Sequence, residues 1–242
     1  MAVTIDRYLV SEHTKGNASQ GKDRMINFET LRQADVKQSP FTYLTANDVI
    51  TQNDGQNVRR DYPQIKQSGY LPLSKLSGGT AFNDLIDDLN SPQLAEILSD
   101  KLGLELRDKP RMITVRRLSK LKDGRVHNDS QSKICTCLIY LNESWDDRNG
   151  GAIRALNGDT DMNDFADEVS PIAGNVFAFA RSENSWHGHP PFKGDRYVIQ
   201  TTFLIDDEAL ARKEKRGGLQ MRLKNFFERR RSVTQQKDQA YG

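Results

Sequence analysis

Between Pro110 and Asp206 the apolar residues fall into short runs, RMITVRRL, SKICTCLIYL, GAIRAL, NVFAFA and RYVIQTTFLI, set apart by clusters of Gly, Asn, Asp and Pro. Runs rich in Val, Ile, Thr, Tyr and Phe and bounded by turn formers predict β-strands. Five of them within about a hundred residues predict a sandwich or jelly roll. Upstream the period changes. Phe82, Leu85, Ile86 and Leu89 recur at helical spacing behind Thr80, a candidate cap, and Leu94, Ile97, Leu98 and Leu102 follow the cap and first-turn proline of Ser91-Pro92. Two amphipathic helices, 80–89 and 92–102, are expected to pack against one sheet.

Residues 1 to 75 are polar and punctuated by Gly, Asn, Asp and Pro, and their apolar patches, PFTYL and GYLPLSKL, are expected to lie over a core made elsewhere. After the last strand comes the charged stretch ALARKEKR, which the Gly217-Gly218 pair separates from LQMRLKNFFERRR, residues 219–231. Leu219, Leu223, Phe226 and Phe227 give that segment an apolar helical side. The expected fold is an all-β core with flanking helices, an α+β chain in one structural domain. Residues 1–110 would form a helical and irregular layer, 111–206 the jelly-roll core and 207–242 a basic helical tail. No internal repeat, P-loop, GxGxxG or GxSxG is present.

An apolar fraction of 36% in 242 residues and a mean hydropathy of -0.71 suit a water-soluble chain. No apolar run approaches the roughly 20 residues of a membrane-spanning helix. MAVTIDRYLVSEHTKG lacks the apolar core, about 7 to 15 residues long, of a signal peptide, so a cytoplasmic location is the default expectation. Two cysteines, Cys135 and Cys137, allow neither a disulfide framework nor a paired-CxxC zinc site. Flanking Thr136 in a strand, they would share one face as small buried residues. The net charge of +2 is uneven: from Arg212 to Gly242 ten Lys or Arg oppose three Asp or Glu, a surplus of +7 that leaves -5 elsewhere. Such a tail can seek phosphate groups or acidic partners, but a solvated end explains it equally, and nucleic-acid binding is not expected.

The four histidines carry the candidate chemistry. Apart from His13 they form two clusters, His127 in GRVHNDSQSK and His187 with His189 in SWHGHPPFKGDR. His127 and Asp129 lie two apart, so in extended backbone both point to one face. A further imidazole from a distant strand, His187 or His189, would complete a 2-His-1-carboxylate triad with open positions, the ligand set of non-haem Fe(II) oxygen chemistry.

Over residues 111–206 the order of motifs resembles the 2-oxoglutarate/Fe(II)-dependent oxygenase superfamily, in its prolyl 4-hydroxylase-like branch. H-x-D is followed by TCLIYLNESW, a Gly-Gly turn with AIRAL, then VSPIAGNVFAFARSENSWHGHPPFKGDRYVIQTTFLID. The family interval of nine residues from distal histidine to arginine is met by His187 and Arg196, which favours His187 over His189 as ligand. His189 then reads as a neighbour of the metal, a substrate-side group or an ordinary turn histidine.

The resemblance implies a double-stranded β-helix of the cupin-like jelly-roll type, with His127, Asp129 and His187 holding Fe(II). Arg196 would bind the far carboxylate of 2-oxoglutarate through its planar fork of donors, with Tyr140 of the YLN motif beside it. Where prolyl hydroxylases often carry a tyrosine facing the cosubstrate, ten residues before the first ligand, this chain has Arg117, which either adds charge to the cosubstrate site or turns outward. The implied reaction couples decarboxylation of 2-oxoglutarate by O2, giving succinate and CO2, to hydroxylation of an unactivated C–H, with ascorbate as a candidate reductant. Retention of Asp129 argues against the halogenating members. A prolyl or other residue in a protein or peptide is the first substrate expectation, and a free amino acid or another small metabolite, such as a glycan or lipid precursor, the second. A non-enzymatic metal-binding jelly-roll module is the rival from another class. Trp145 and Trp186 are expected to pack rather than touch substrate. Because ligating imidazoles must be neutral, Fe(II) affinity should fall below about pH 6.

Overall fold

The strand β5, Lys133–Tyr140, shows how side-chain alternation builds the layers. Cys135, Cys137 and Ile139 point into a large apolar cluster with the helices, while Leu138 and Tyr140 point into a second cluster on the opposite face. The same alternation holds in its neighbours, β4 (Arg111–Ser119) and β10 (Gly194–Leu204): Ile113, Val115, Ile199 and Phe203 face the helices. The computed structural model describes residues 24–219.

The remaining elements are α1 (Phe28–Gln33), β1 (Val36–Lys37), β2 (Tyr43–Ala46), α2 (Gln52–Arg60), β3 (Leu71–Pro72), α3 (Thr80–Asn90), α4 (Pro92–Leu102), β6 (Ile153–Leu156), β7 (Phe165–Val169), β8 (Val176–Ala180) and β9 (His187–Gly188), and residues 207–219 are helical. A seven-stranded antiparallel sheet has the order β1-β2-β8-β5-β10-β4-β3, and a three-stranded sheet the order β7-β6-β9. Phe41, Tyr43, Tyr140, Phe177 and Phe179 pack between the two, and α3 and α4 cover the outer face of the large sheet. Phe82, fully buried in that outer layer, would cost about 3–5 kcal/mol if truncated to alanine.

Three local readings are corrected. PFTYL does not lie over a core built elsewhere: β1, β2 and β3 join the large sheet, because β2 pairs with β8 and β3 with β4, giving buried backbone groups their partners. Thr80 is the first residue of α3 rather than its cap. Gly79 occupies the cap without a side chain, and Asp61, at the end of α2, accepts instead from Ala81 N at 2.8 Å. The helix that begins at 207 continues through Gly217 and Gly218, where a Cβ on Gly217 would meet Pro72 Cγ at 2.5 Å. Glycine there permits close approach to β3 rather than marking a break. The expected helix over 219–231 lies, beyond its first residue, outside the described residues. Helix α2 was not expected, although Thr51 capping Asp54 N, with Asp54 at the third helical position, was a readable start.

Candidate metal and cosubstrate site

His127, in the loop before β5, meets His187, in β9 at the edge of the small sheet. Their backbones form an isolated antiparallel bridge in which each N–H donates to the other's carbonyl at 3.0 Å. In each ring Nδ1 lies 2.9 Å from a carbonyl two residues back, Arg125 O for His127 and Ser185 O for His187. A carbonyl can only accept, so both Nδ1 atoms carry the proton and both Nε2 atoms are left with a lone pair for a cation. Asp129, two residues after His127 and before β5, completes a group whose ligand atoms all lie within 4.8 Å of one another.

Electrostatics prepare the three for ligation. Burial by itself would raise the Asp129 pKa, but Lys133, 2.6 Å from Oδ1, the neighbouring His187 and a 2.7 Å hydrogen bond from Thr136 bring it down to about 2. Burial, reinforced by His127, lowers the His187 pKa to about 4, against the opposing pull of Asp129. At neutral pH the site therefore holds an ionised carboxylate and a neutral His187, the protonation states that a divalent metal requires.

Arg196 is 1% exposed. A one-residue bulge in β10, where the pairing with β4 steps from Asp195↔Leu118 to Val198↔Arg116, aims it between the sheets. Asn142, in the YLN segment, holds that bulge from both sides: its Nδ2 donates to Asp195 O at 3.0 Å and its Oδ1 accepts from Tyr197 N at 2.9 Å. Arg196 Nε donates to Gly151 O at 2.8 Å, a carbonyl presented by the Gly150-Gly151 turn, in which both residues have positive φ. Arg196 Nη2 lies 3.3 Å from the Tyr140 hydroxyl. Burial raises the Tyr140 pKa, with Arg196 acting against it, so the phenol keeps its proton. No acidic side chain pairs with Arg196 among the described residues. An uncompensated buried cation costs on the order of several kcal/mol, which an incoming carboxylate would relieve.

Of the two placements open to Arg117, beside the cosubstrate or turned outward, the strand period gives the second, so its place among the cosubstrate residues is corrected. Met112, Thr114 and Arg116 face the cavity, whereas Arg117 lies on the other side of β4, paired with Asp195 at 3.4 Å and set over the Tyr197 ring. Arg116 is the arginine that the cavity receives. It is 8% exposed, stacks over Tyr70 at 4.4 Å and has a buried Nε without a hydrogen-bond partner. The adjacent RR pair was visible in the sequence, but the side each residue takes depends on the register of β4.

The cavity has a volume of about 380 Å³, with His127, Asp129, His187 and Arg196 on its wall. His189 also lines it. Its Nδ1 donates to Pro190 O at 2.9 Å, and its Nε2 is buried without a partner. Burial, then Arg196, lowers its pKa to about 3, so this nitrogen is a neutral acceptor. Trp145 packs on Phe192 with ring centroids 4.5 Å apart, and neither tryptophan lines the cavity. Cys135 and Cys137 are buried, free and on the helix face. Sequence reasoning missed the places of Asn142, Arg116 and the cavity-lining Lys133, Lys213 and Arg216, although Asn142 lay in the YLN motif and Lys133 in the GRVHNDSQSK stretch. No helix among the described residues is long and apolar enough to cross a membrane.

Residues 115–204 match the family model of the 2OG-Fe(II) oxygenase superfamily. No curated protein matches the chain. A solved prolyl-4-hydroxylase of Pseudomonas putida is 17% identical, with a TM-score of 0.50 over 73% of this chain and 90% of its own. Prolyl 4-hydroxylases from Phytophthora capsici are similar at 20% identity and TM-score 0.49, over 74% of this chain, which spans 63% of their length. A prolyl hydroxylase from Trichoplax adhaerens, solved with a hypoxia inducible factor peptide fragment, reaches 16% identity and TM-score 0.49 over 70% and 86% of the two chains. What the Pseudomonas putida protein shares with this chain is the fold, a double-stranded β-helix with flanking helices. The matched segment runs from β4 to the end of β10 and contains the His-Asp-His group and Arg196. What the comparisons show is therefore a segment, residues 115–204, that is similar to the 2OG-Fe(II) oxygenase superfamily.

Proposed function

We propose that this protein is a 2-oxoglutarate- and Fe(II)-dependent dioxygenase that hydroxylates an unactivated C–H bond. The reading rests on the meeting of His127, Asp129 and His187 within 4.8 Å, in a cavity that also holds the unpaired, buried Arg196. His127 and His187 would bind Fe(II) through Nε2 and Asp129 through a carboxylate oxygen. Iron, 2-oxoglutarate and O2 together supply the C–H oxidation, with succinate and CO2 as coproducts and ascorbate as the reductant that maintains Fe(II).

The chain's own contribution is orientation and charge. Thr136 and Lys133 hold the Asp129 carboxylate, and carbonyls 2.9 Å from each Nδ1 set the tilt of both rings. Arg196, steadied by Gly151 O and the Tyr140 hydroxyl, receives the far carboxylate of the cosubstrate. Leu138 and Ile153 give the cavity an apolar wall that limits water near the reacting centre.

A prolyl or other residue of a protein or peptide is the first substrate reading, drawn from the motif resemblance. A small metabolite is the second. It is favoured by the helix over 207–219, which narrows the mouth through a 2.9 Å hydrogen bond from Lys213 to Ser130 and the close approach of Gly217 to Pro72. Anaerobic titration with Fe(II) and then 2-oxoglutarate tests the class: a weak visible charge-transfer band that needs both components is expected. Metal-loaded protein without that band would leave a metal-binding jelly-roll module.

A further inference from the structure

The cavity carries more positive charge than iron and cosubstrate account for. Its wall includes Arg116, Lys133, Arg196, Lys213 and Arg216, against Asp129 as the single acidic residue among those that line it. Adding divalent Fe(II) and dianionic 2-oxoglutarate leaves that surplus unchanged, because their charges cancel. Lys133 is satisfied by Asp129, and Arg196 is the cosubstrate's partner on the reading above. Three cations remain.

Of these, Arg116 is built into the wall. Its nearest acidic group, Asp123, is 3.9 Å from Nη2, its Nη1 reaches Ser119 only at 3.4 Å, and its Nε has no partner. Thr114 Oγ1, two residues earlier on the same face of β4, and His189 Nε2 across the cavity are likewise buried without partners. Buried polar atoms are rarely left unpaired, and three orphans lining one cavity point to a polar ligand that supplies what they lack. Lys213 and Arg216 stand at the mouth on the helix 207–219, and neither has an acidic partner among the described residues.

We propose that the substrate is an anion, whose carboxylate or phosphate group is bound by Arg116 on the cavity wall and drawn in by Lys213 and Arg216 at the mouth. This rests on the oxygenase reading and deepens it by naming the chemistry of the substrate. A guanidinium with unused donors in a partly desolvated site binds such a group by charge-assisted hydrogen bonds, and cations at a mouth raise the local concentration of anions. The cavity of about 380 Å³ is at the small end of ligand pockets, roughly 300–1,000 Å³, and must hold the cosubstrate too. A small free acid or phosphate ester fits that space, and the shared chemistry also admits an acidic side chain next to the reacting residue of a peptide.

The test uses the full chain loaded anaerobically with Fe(II) and saturating 2-oxoglutarate, with inorganic phosphate as the probe. Broadening of the phosphorus resonance by the paramagnetic metal reports phosphate beside the cosubstrate. Broadening is expected in the wild type and should fall about tenfold or more, the worth of one charge-assisted contact, in Arg116→Gln and in the surface variant Lys213→Gln/Arg216→Gln. Both variants should retain the visible iron–cosubstrate band. No broadening in the wild type, or equal broadening in the wild type and the surface variant, overturns the proposal. So does broadening that vanishes once 2-oxoglutarate saturates, because that assigns the cations to the cosubstrate. A second arm follows succinate release with free organic acids, small phosphate esters, acidic peptides and neutral counterparts of each. Stimulation by free acids or esters, or by acidic peptides alone, supports an anionic substrate and tells its source, whereas stimulation by neutral compounds alone overturns it. A wild type with no visible band overturns the oxygenase reading and, with it, this one.

Discussion

His127 and His187, 60 positions apart in sequence, exchange two backbone hydrogen bonds of 3.0 Å and hold their rings 4.2 Å apart between centroids. The bridge joins the loop before β5 to the edge strand β9 of the small sheet, so the spacing of the two proposed metal ligands is set by main-chain geometry. The rings have only to keep their tilt, which the carbonyls on Nδ1 supply.

That arrangement separates the two downstream histidines. His187→Ala is expected to abolish the Fe(II)–2-oxoglutarate band, whereas His189→Ala should leave it, since the His189 ligand atom is outside the group that meets within 4.8 Å. Loss of the band in both variants would place His189 in the metal sphere.

The fork of Arg196 predicts the response to a conservative change. Arg196→Lys keeps the charge but cannot donate to Gly151 O, Tyr140 and a carboxylate together. Half-saturation by 2-oxoglutarate should rise about 10- to 100-fold, equivalent to roughly 1.5–3 kcal/mol. An unchanged value, measured by succinate formation, would show that the cosubstrate anchors elsewhere.

Asn142 acts through the bulge that aims Arg196, and touches neither iron nor cosubstrate on this reading. Asn142→Ala removes bonds to both Asp195 O and Tyr197 N. We expect a higher half-saturation by 2-oxoglutarate with Fe(II) binding alone unchanged, and a stability loss of about 1–3 kcal/mol. Equal weakening of both bindings would indicate general loosening of the core instead.

Gly124 makes room for His189. Its φ is +81°, and a Cβ there would stand 2.3–2.4 Å from the imidazole atoms. Gly124→Ala should displace His189 and cost about 1–3 kcal/mol, while the iron band persists. Unchanged thermal stability would refute the tight fit.

The depressed histidine pKa values set the pH dependence of the metal-free protein. His187 falls from 6.5 to about 4 and His189 to about 3 on folding. Between these values and 6.5 the unfolded chain binds protons that the folded chain refuses, so stability falls as pH drops from about 6.5 toward 4. His187 alone accounts for roughly 3 kcal/mol of that loss at full extent. Asp129 acts in the same direction lower down: its contribution is present above 3.8 and lost as pH falls toward about 2. Urea unfolding at pH 7, 6 and 5 checks this, and a flat stability would contradict it. The expectation that Fe(II) affinity weakens below about pH 6 is amended for His187, whose ring stays neutral to about pH 4.

Much of the architecture was legible because it rests on periods. The alternation in KICTCLIY separates a helix face from an inner face, and the 3.6-residue recurrence in α3 and α4 marks the stripe they bury. Short elements escaped: β1 and β3 have two residues each, too few for any pattern, and their strand character comes from pairing with β2 and β4. The cavity's cations escaped for another reason. Lys213 and Arg216 sit in a charged run that reads as a solvated tail, and only docking of the helix against β3 brings them to the mouth.

Sequence alone thus determined the candidate ligand types, their order and the interval from His187 to Arg196, because those are properties of a chain read along its length. Which arginine of the Arg116-Arg117 pair enters the cavity, how far Arg196 turns inward, and that His127 and His187 share a bridge were decided only by tertiary structure. Each depends on strand register and a one-residue bulge, and a shift of one residue sends a side chain to the opposite face of its sheet.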